Sequence, residues 1–238
     1  MRVWVTRTAP DAQATAARLR AMGHYPLVAP VLEIRVLPGP APNLDGVTAI
    51  AFTSRNGVAA FAALTAERGL PVFAVGPSTA EAARDKGFQR VEDAAGDVTA
   101  LAGLIRRRRA VVGAGHVLHP GPEKPAGDLV AALAQGGVAA RLHPVYATDA
   151  LPLPPAAAAA LAAAPPGVEV VLVHSPRAGR TLAGYPQLAR AASSLIALCI
   201  SPVAAATLAD LPFDRIDAAA RPDEDALMDL VDRTAARP

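Results

Sequence analysis

Six short segments of this chain set hydroxyl, glycine and arginine residues directly after an apolar run. They are Thr6-Arg7, Thr53-Ser-Arg-Asn56, Gly76-Pro-Ser-Thr79, His119-Pro-Gly121, Ser175-Pro-Arg177 and Ser201-Pro-Val203. Such residues at the start of a helix suit anions: free N–H groups and the positive helix end meet a carboxylate or phosphate, and small hydroxyls add donors. The competing reading is local, since Ser, Thr and Asn are also preferred helix N-caps. In open parallel sheets ligands lie beyond the carboxyl ends of the strands, so six such segments weigh more together than singly.

Other chemistries fail on spacing. Gly113-Ala-Gly115 is followed at the sixth position by Leu118 and precedes a strand, so the dinucleotide fingerprint is absent. Gly121 to Gly127 is one residue too long for a P-loop and lacks its Lys-Ser/Thr end. His116 and His119, three apart in an expected strand, point to opposite faces and make no metal pair. His174-Ser175 lacks the Gly-x-Ser-x-Gly spacing of a hydrolase elbow. Arg106 to Arg109 has no aromatic stacking platform in a chain with one Trp, and reads as a solvated helix end. Cys199 is the single cysteine, which excludes an internal disulfide; in Ile196-Ala-Leu-Cys-Ile200 it reads as a buried structural thiol.

The elements that must position the six segments follow from hydrophobic periodicity. Val3 to Thr6 predicts a strand, Asp11 to Met22 a helix with Ala12, Ala16, Leu19 and the stem of Arg20 inward, and Tyr25 to Val28 the next strand after Gly23. The grammar returns with strands at Ala49 to Ser54 and Val72 to Val75, and helices at Asn56 to Thr65 and Ser78 to Lys86. Continuous apolar strands joined by helical crossovers predict an α/β protein with parallel sheets covered on both faces.

The chain also repeats itself. Residues 3–37 align with residues 117–151 at a constant offset of 114, so that Leu19 meets Leu133, Gly23 meets Gly137, Pro30 meets Pro144 and Val31 meets Val145. Phe52-Thr-Ser54 then matches Val173-His-Ser175, and Val75-Gly-Pro77 matches Ile200-Ser-Pro202. Two copies of one unit follow, with Asp and Glu sparse at the strand ends of both. Each copy carries a Pro-bounded extended stretch, Pro30 to Pro38 and Pro144 to Pro152, and the pair is expected to serve as interdomain linkers forming a hinge.

The 238 residues suit one large domain or two small ones, the repeat favouring two, and 52% apolar with 18% charged residues marks a folded protein. A net charge of +2 argues against a dedicated nucleic-acid or membrane-surface protein. Arg7 interrupts the N-terminus before a secretory leader develops, and five prolines between Ala150 and Val168 make that uncharged stretch a poor membrane span. The expectation is a soluble cytoplasmic protein.

Thr6-Arg7, Phe52-Thr-Ser-Arg-Asn-Gly-Val58, Ala74-Val-Gly-Pro-Ser-Thr-Ala80, Val145-Tyr146, Ser175-Pro-Arg177 and Ile200-Ser201 together resemble the uroporphyrinogen-III synthase family, in order and across essentially the whole chain. The resemblance implies two similar parallel-sheet, flavodoxin-like α/β domains joined by a two-stranded linker. The first would be discontinuous, residues 1–36 and 149–238, and the second residues 37–148. It implies a monomer without metal or organic cofactor that cyclises linear hydroxymethylbilane, losing water and inverting the last pyrrole, with transient contact with hydroxymethylbilane synthase as a further partner expectation. By the same resemblance Tyr146 matches the family's linker tyrosine and would assist departure of the hydroxyl. The substrate's eight carboxylates would meet Thr6, Arg7, Thr53, Ser54, Arg55, Asn56, Gly76, Ser78, Thr79, Gly121, Ser175, Arg177 and Ser201. The chain departs from the family pattern at Thr8, where proline is common, and at His119-Pro-Gly-Pro-Glu-Lys124, which replaces an Arg-Gly segment. Two other classes compete: a non-enzymatic two-domain ligand-binding or sensor protein, and a nucleotide-sugar transferase, which would want acidic residues at a strand end.

Overall fold

The computed structural model describes residues 1–9, 11–125 and 127–236; residues 10, 126, 237 and 238, which fall within the expected domain ranges, lie outside the described residues. In chain order the first elements are β1 (Arg2–Val5), α1 (Asp11–Ala21), β2 (Tyr25–Val28), β3 (Leu32–Val36), β4 (Val47–Phe52), α2 (Arg55–Leu64), β5 (Val72–Ala74) and α3 (Pro77–Asp85). Then come β6 (Val91–Asp93), α4 (Val98–Arg107), α5 (Arg109–Val112), β7 (His116–Pro122), α6 (Leu129–Ala134), β8 (Ala140–Ala150) and α7 (Pro155–Ala162). The chain closes with β9 (Val170–Val173), α8 (Pro176–Ala183), α9 (Pro186–Ala191), β10 (Ile196–Cys199), α10 (Pro202–Ala206), β11 (Arg215–Ala218) and α11 (Glu224–Ala235). The fold is α/β, with sheets dominated by parallel pairs.

The chain divides into two compact units, one of residues Met1–Glu33 with Asp149–Pro238, the other Ile34–Thr148. The sheet of the first runs β11-β10-β9-β1-β2; that of the second runs β3-β8-β7-β4-β5-β6. Without β3 the two orders correspond, β2-β1-β9-β10-β11 against β8-β7-β4-β5-β6, so each unit joins the opening third of one sequence copy to the remainder of the other.

The repeat is visible at the level of single bonds. Gly23 and Gly137 both take positive φ, +79° and +69°, where a side chain would be strained. At these turns His24 N–H donates to Leu19 O (2.9 Å) and Val138 N–H to Leu133 O (3.0 Å), closing α1 and α6 with the same capping bond. Leu19 and Leu133 are both fully buried. The β1–β2 and β7–β8 registers agree as well: Val3 pairs with Pro26 and Val117 with Ala140, each member displaced by the repeat offset.

In the first unit β1 and β9 lie between two apolar layers. Trp4, Val171 and Leu182 pack on one face, and Val3, Val5, Leu172 and Leu227 on the other. Trp4 is fully buried and donates its indole N–H to Ala29 O at 2.7 Å. In the second unit Phe52, Phe61 and Phe88 form the aromatic floor beneath α2, with Phe52 5.8 Å centroid to centroid from each of the other two. The edge strands β6 and β11 depart from the apolar pattern; Arg215 pairs with Asp217 within β11 at 2.8 Å, as suits a strand open to water on one side.

One expectation needs correction. The inward face of α1 is Ala12, Thr15, Ala16 and Leu19, while Arg20 is exposed. Spacings of three, one and three residues make one helical stripe, and Arg20 falls outside it. Both Pro-bounded stretches are extended, as expected: β3 lies between Pro30 and Pro38, and β8 runs unbroken from Ala140 through Pro144 to Ala150, pairing with β7 first. Its later residues neighbour the extended β3, and Leu37 N–H donates to Val145 O at 3.0 Å.

Candidate functional site

Parallel strands bring all their carboxyl ends to one edge of each sheet, and the singled-out residues collect there, some in each unit. In the second unit β4 ends at Phe52 and the chain turns into α2 through Thr53 and Ser54. Ser54 is the N-cap, accepting from Gly57 N–H at 3.1 Å. Its hydroxyl also makes a 2.9 Å hydrogen bond with the Tyr146 hydroxyl, which β8 supplies. The Tyr146 ring is buried against Ala60 and Val145, with Ile34 and Leu64 packed on the same cluster. Tyr146 and Ser54 therefore form a polar pair at the positive end of a ten-residue helix, over an apolar bed. Negative charge developing at either oxygen is favoured there.

Beside this pair, Thr53 Oγ1 lies 3.0 Å from Nε2 of His119, which is buried in β7. Burial pushes the His119 imidazole down to about 4, against a smaller upward pull from Asp128, so the ring is neutral near pH 7. Gly121, two residues on, is buried; a Cβ there would stand 2.8 Å from His119 Nε2 and 3.1 Å from Leu142 Cδ1. The ring occupies the space that a side chain at 121 would need. Gly57 meets a similar limit, since its Cβ would fall 2.7 Å from the Pro120 carbonyl oxygen. Gly76 caps α3 in extended conformation with open space where a Cβ would go; Ser78 is exposed in the first turn and Thr79 buried. Arg55 is exposed and Asn56 half-buried at the start of α2.

In the first unit the hydroxyls are largely engaged. Thr6 is fully buried and donates to Leu172 O at 2.6 Å, tying β1 to β9. Ser175 and Ser201 cap α8 and α10, accepting from Ala178 N–H (3.1 Å) and Ala204 N–H (3.3 Å). Three of the predicted serines are thus N-caps, as the local reading held. A capping serine still keeps its own O–H to donate. Arg177 is half-buried in the first turn of α8.

Arg7 sits in a network that sequence reasoning missed. Its guanidinium donates to Asp11 Oδ2 and to Glu224 Oε2, both at 2.7 Å, and Thr15 donates to Glu224 Oε1 at 2.6 Å. His174 Nε2 lies 3.3 Å from Glu224 Oε2, and no described residue hydrogen-bonds its buried Nδ1. Burial raises the Glu224 carboxyl, but His174, Thr15 and Arg7 together outweigh that and hold it at about 2. His174 is pushed the other way, its burial lowering it despite Glu224, so the ring stays largely neutral and Glu224 charged. Acidic residues are sparse on the strand ends themselves; α1 and the first turn of α11 bring them in. Thr15, polar yet buried on the inner stripe of α1, was the sequence signal.

Burial pushes the Cys199 thiol up to about 12, which makes it inert, as its apolar run indicated. No group of three His, Cys, Asp or Glu side chains among the described residues is placed to hold a metal ion. No helix of the described residues is long and apolar enough to cross a membrane.

Fold and site define a class: an α/β protein of two parallel-sheet units whose strand ends feed hydroxyl-capped helices. Two solved structures share the architecture. A uroporphyrinogen-III synthetase from Helicobacter pylori matches with a TM-score of 0.67 and 17% identity, covering 98% of each chain. A mutant uroporphyrinogen III synthase from Thermus thermophilus matches at 0.57 and 20% identity, covering 99% of this chain and 98% of that one. At these identities the likeness speaks for the fold. No match was found among curated proteins. The family model described as "Uroporphyrinogen-III synthase HemD" matches residues 13–229, and the chain belongs to the uroporphyrinogen-III synthase family.

Proposed function

We infer that this chain is a uroporphyrinogen-III synthase, a hydro-lyase of tetrapyrrole biosynthesis that closes linear hydroxymethylbilane to uroporphyrinogen III. The family match across residues 13–229 carries the reading. The net reaction loses water and is redox-neutral, so it balances with no cofactor.

The chemistry proposed is loss of the terminal hydroxyl, attack through a spiro intermediate and closure with the last pyrrole inverted. Unassisted closure gives the type I isomer, so the enzyme's task is steering. A preference of a hundredfold to a thousandfold needs only about 3–4 kcal/mol of differential transition-state stabilisation. Tyr146 gives its proton to the departing hydroxyl, which leaves as water, and the phenolate recovers a proton when the pyrrole that closes the ring gives up its α-proton. The Ser54 hydroxyl, 2.9 Å away, can turn to donate to the phenolate, and the N-terminus of α2 favours the charge. Thr53, Ser54, Asn56, Gly76, Ser78, Thr79 and Gly121 in one unit, and Ser175 and Ser201 in the other, are proposed to receive substrate carboxylates or to shape the backbone that does, with Arg55 and Arg177 as charge partners. Thr6 and Arg7 act from behind: Thr6 ties two strands, and Arg7, held by Asp11 and Glu224, fixes the end of β1.

Each unit is proposed to be a flavodoxin-like domain, supported by the strand order 2-1-3-4-5 in the first and, with β3 set aside, by the same neighbours in circularly permuted chain order, 5-4-1-2-3, in the second. The proposed boundaries are 1–36 with 149–238, and 37–148, with β3 and the end of β8 as the linker. The reading extends to a cytoplasmic monomer that receives its substrate through transient contact with hydroxymethylbilane synthase. The test is complementation: expressed in a bacterial strain lacking its own uroporphyrinogen-III synthase, the chain is expected to restore haem-dependent growth. Failure despite folded expression would overturn the reading.

A further inference from the structure

We propose that His119 is a positioning residue for the ring-closing reaction: it orients the Thr53 hydroxyl toward substrate, an assignment resting on the function proposed above. His119 takes the place of an Arg-Gly segment in the family pattern, so its role must come from its surroundings. The side chain is only 2% exposed, yet it reaches the strand-end edge where β4 turns into α2. There its Nε2 lies 3.0 Å from Thr53 Oγ1. Gly121 leaves the ring its space, because a Cβ at that position would come within 2.8 Å of the same nitrogen.

A neutral imidazole can meet a hydroxyl in two ways. With the proton on Nδ1, Nε2 accepts and the Thr53 hydrogen is consumed in the contact. With the proton on Nε2, the ring donates to Thr53 Oγ1 and the hydroxyl hydrogen is freed to donate elsewhere. A substrate rich in carboxylates offers acceptors, so the useful tautomer is the Nε2-protonated one. Burial keeps the ring uncharged near pH 7, which preserves a single donor at a fixed place. Without His119 the Thr53 hydroxyl rotates among its wells, and its aim at the substrate is lost.

Five proteins test the assignment: wild type, His119→Phe, His119→Gln, Thr53→Val and the double variant that joins His119→Phe with Thr53→Val. Each is assayed for kcat, KM and product isomer. His119→Phe is expected to lose about tenfold in kcat/KM, the size of one oriented hydrogen bond to a charged group, and to release more type I product. His119→Gln, whose amide donates from a similar place, should recover most of the loss. The double variant should be no worse than Thr53→Val alone. Nitrogen-15 NMR of the wild type should show the Nε2-protonated tautomer. His119→Phe kinetics equal to wild type, multiplicative losses in the double variant, or an Nδ1-protonated ring would each overturn the proposal. If His119→Phe fails to fold, the tautomer and the comparison of Thr53→Val with His119→Gln decide it. Wild-type protein that yields no type III product would instead overturn the functional reading, before any variant is compared.

Discussion

Replacing Gly57 by alanine sets two effects of opposite sign against each other. Gly57 is the third residue of α2, and alanine in a helix is favoured over glycine by up to about 1 kcal/mol. The added Cβ, however, would stand 2.7 Å from the Pro120 carbonyl oxygen, 3.5 Å from Ser54 Oγ and 3.7 Å from Phe52 Cδ1. Even weak C–H···O contacts keep about 3.3 Å, so the helix start or β7 must give by about 0.6 Å. Neither gives easily, because Pro120 is buried in a strand paired with β8, and α2 rests on the Phe52–Phe61 edge contact. Overpacking of this kind costs about 1–3 kcal/mol, which against the full propensity gain leaves Gly57→Ala net destabilised by up to about 2 kcal/mol. Urea denaturation followed by far-UV circular dichroism measures it. Emission of Trp4, which belongs to the other unit, gives an internal reference. The same shift moves Thr53 and Ser54 away from His119 and Tyr146, so activity should fall too. A variant stabilised by about 1 kcal/mol, the full helix-propensity gain with no clash against it, would refute the close-approach argument.

Three further outcomes are expected. Tyr146→Phe should lose at least tenfold in rate while staying folded, with about 1 kcal/mol of stability lost with the Ser54 contact; unchanged turnover would leave Tyr146 a packing residue. Glu224→Gln removes one of two carboxylates from the partly buried Arg7 and should cost about 1–3 kcal/mol, read by Trp4 emission during denaturation; no change would mean that Asp11 alone holds Arg7. The pH dependence has a definite sign. His119 is lowered from 6.5 to about 4, so below pH 6.5 the unfolded chain binds a proton that the folded one refuses, and stability falls as pH drops. By pH 5 the loss is about 2 kcal/mol, and His119→Gln should remove that part of the slope; wild type and variant with equal slopes would contradict it.

What the sequence made legible was mostly local or repeated. β1, α1 and β2 follow from apolar spacing and Gly23, and the offset of 114 carried the same reading to β7, α6 and β8, down to the bonds at Leu19 and Leu133. Serine capping was legible because the hydroxyl acts within three residues of itself. The site networks were not. Glu224 stands 217 residues from Arg7 and His119 66 from Thr53, and only the sheet orders bring them together. On α1 the aliphatic stem of Arg20 suggests an inward group, yet Thr15 is the one buried. A hydroxyl that bonds Glu224 is the more easily buried of the two, since its polar atom is satisfied.

The isomer partition of the purified protein tests the central claim most directly. Hydroxymethylbilane is generated in situ, the product oxidised, and the type I and type III isomers separated. Differential stabilisation of about 3–4 kcal/mol predicts type III at about 99% or more of the cyclised product. A product no richer in type III than the enzyme-free control would contradict the account.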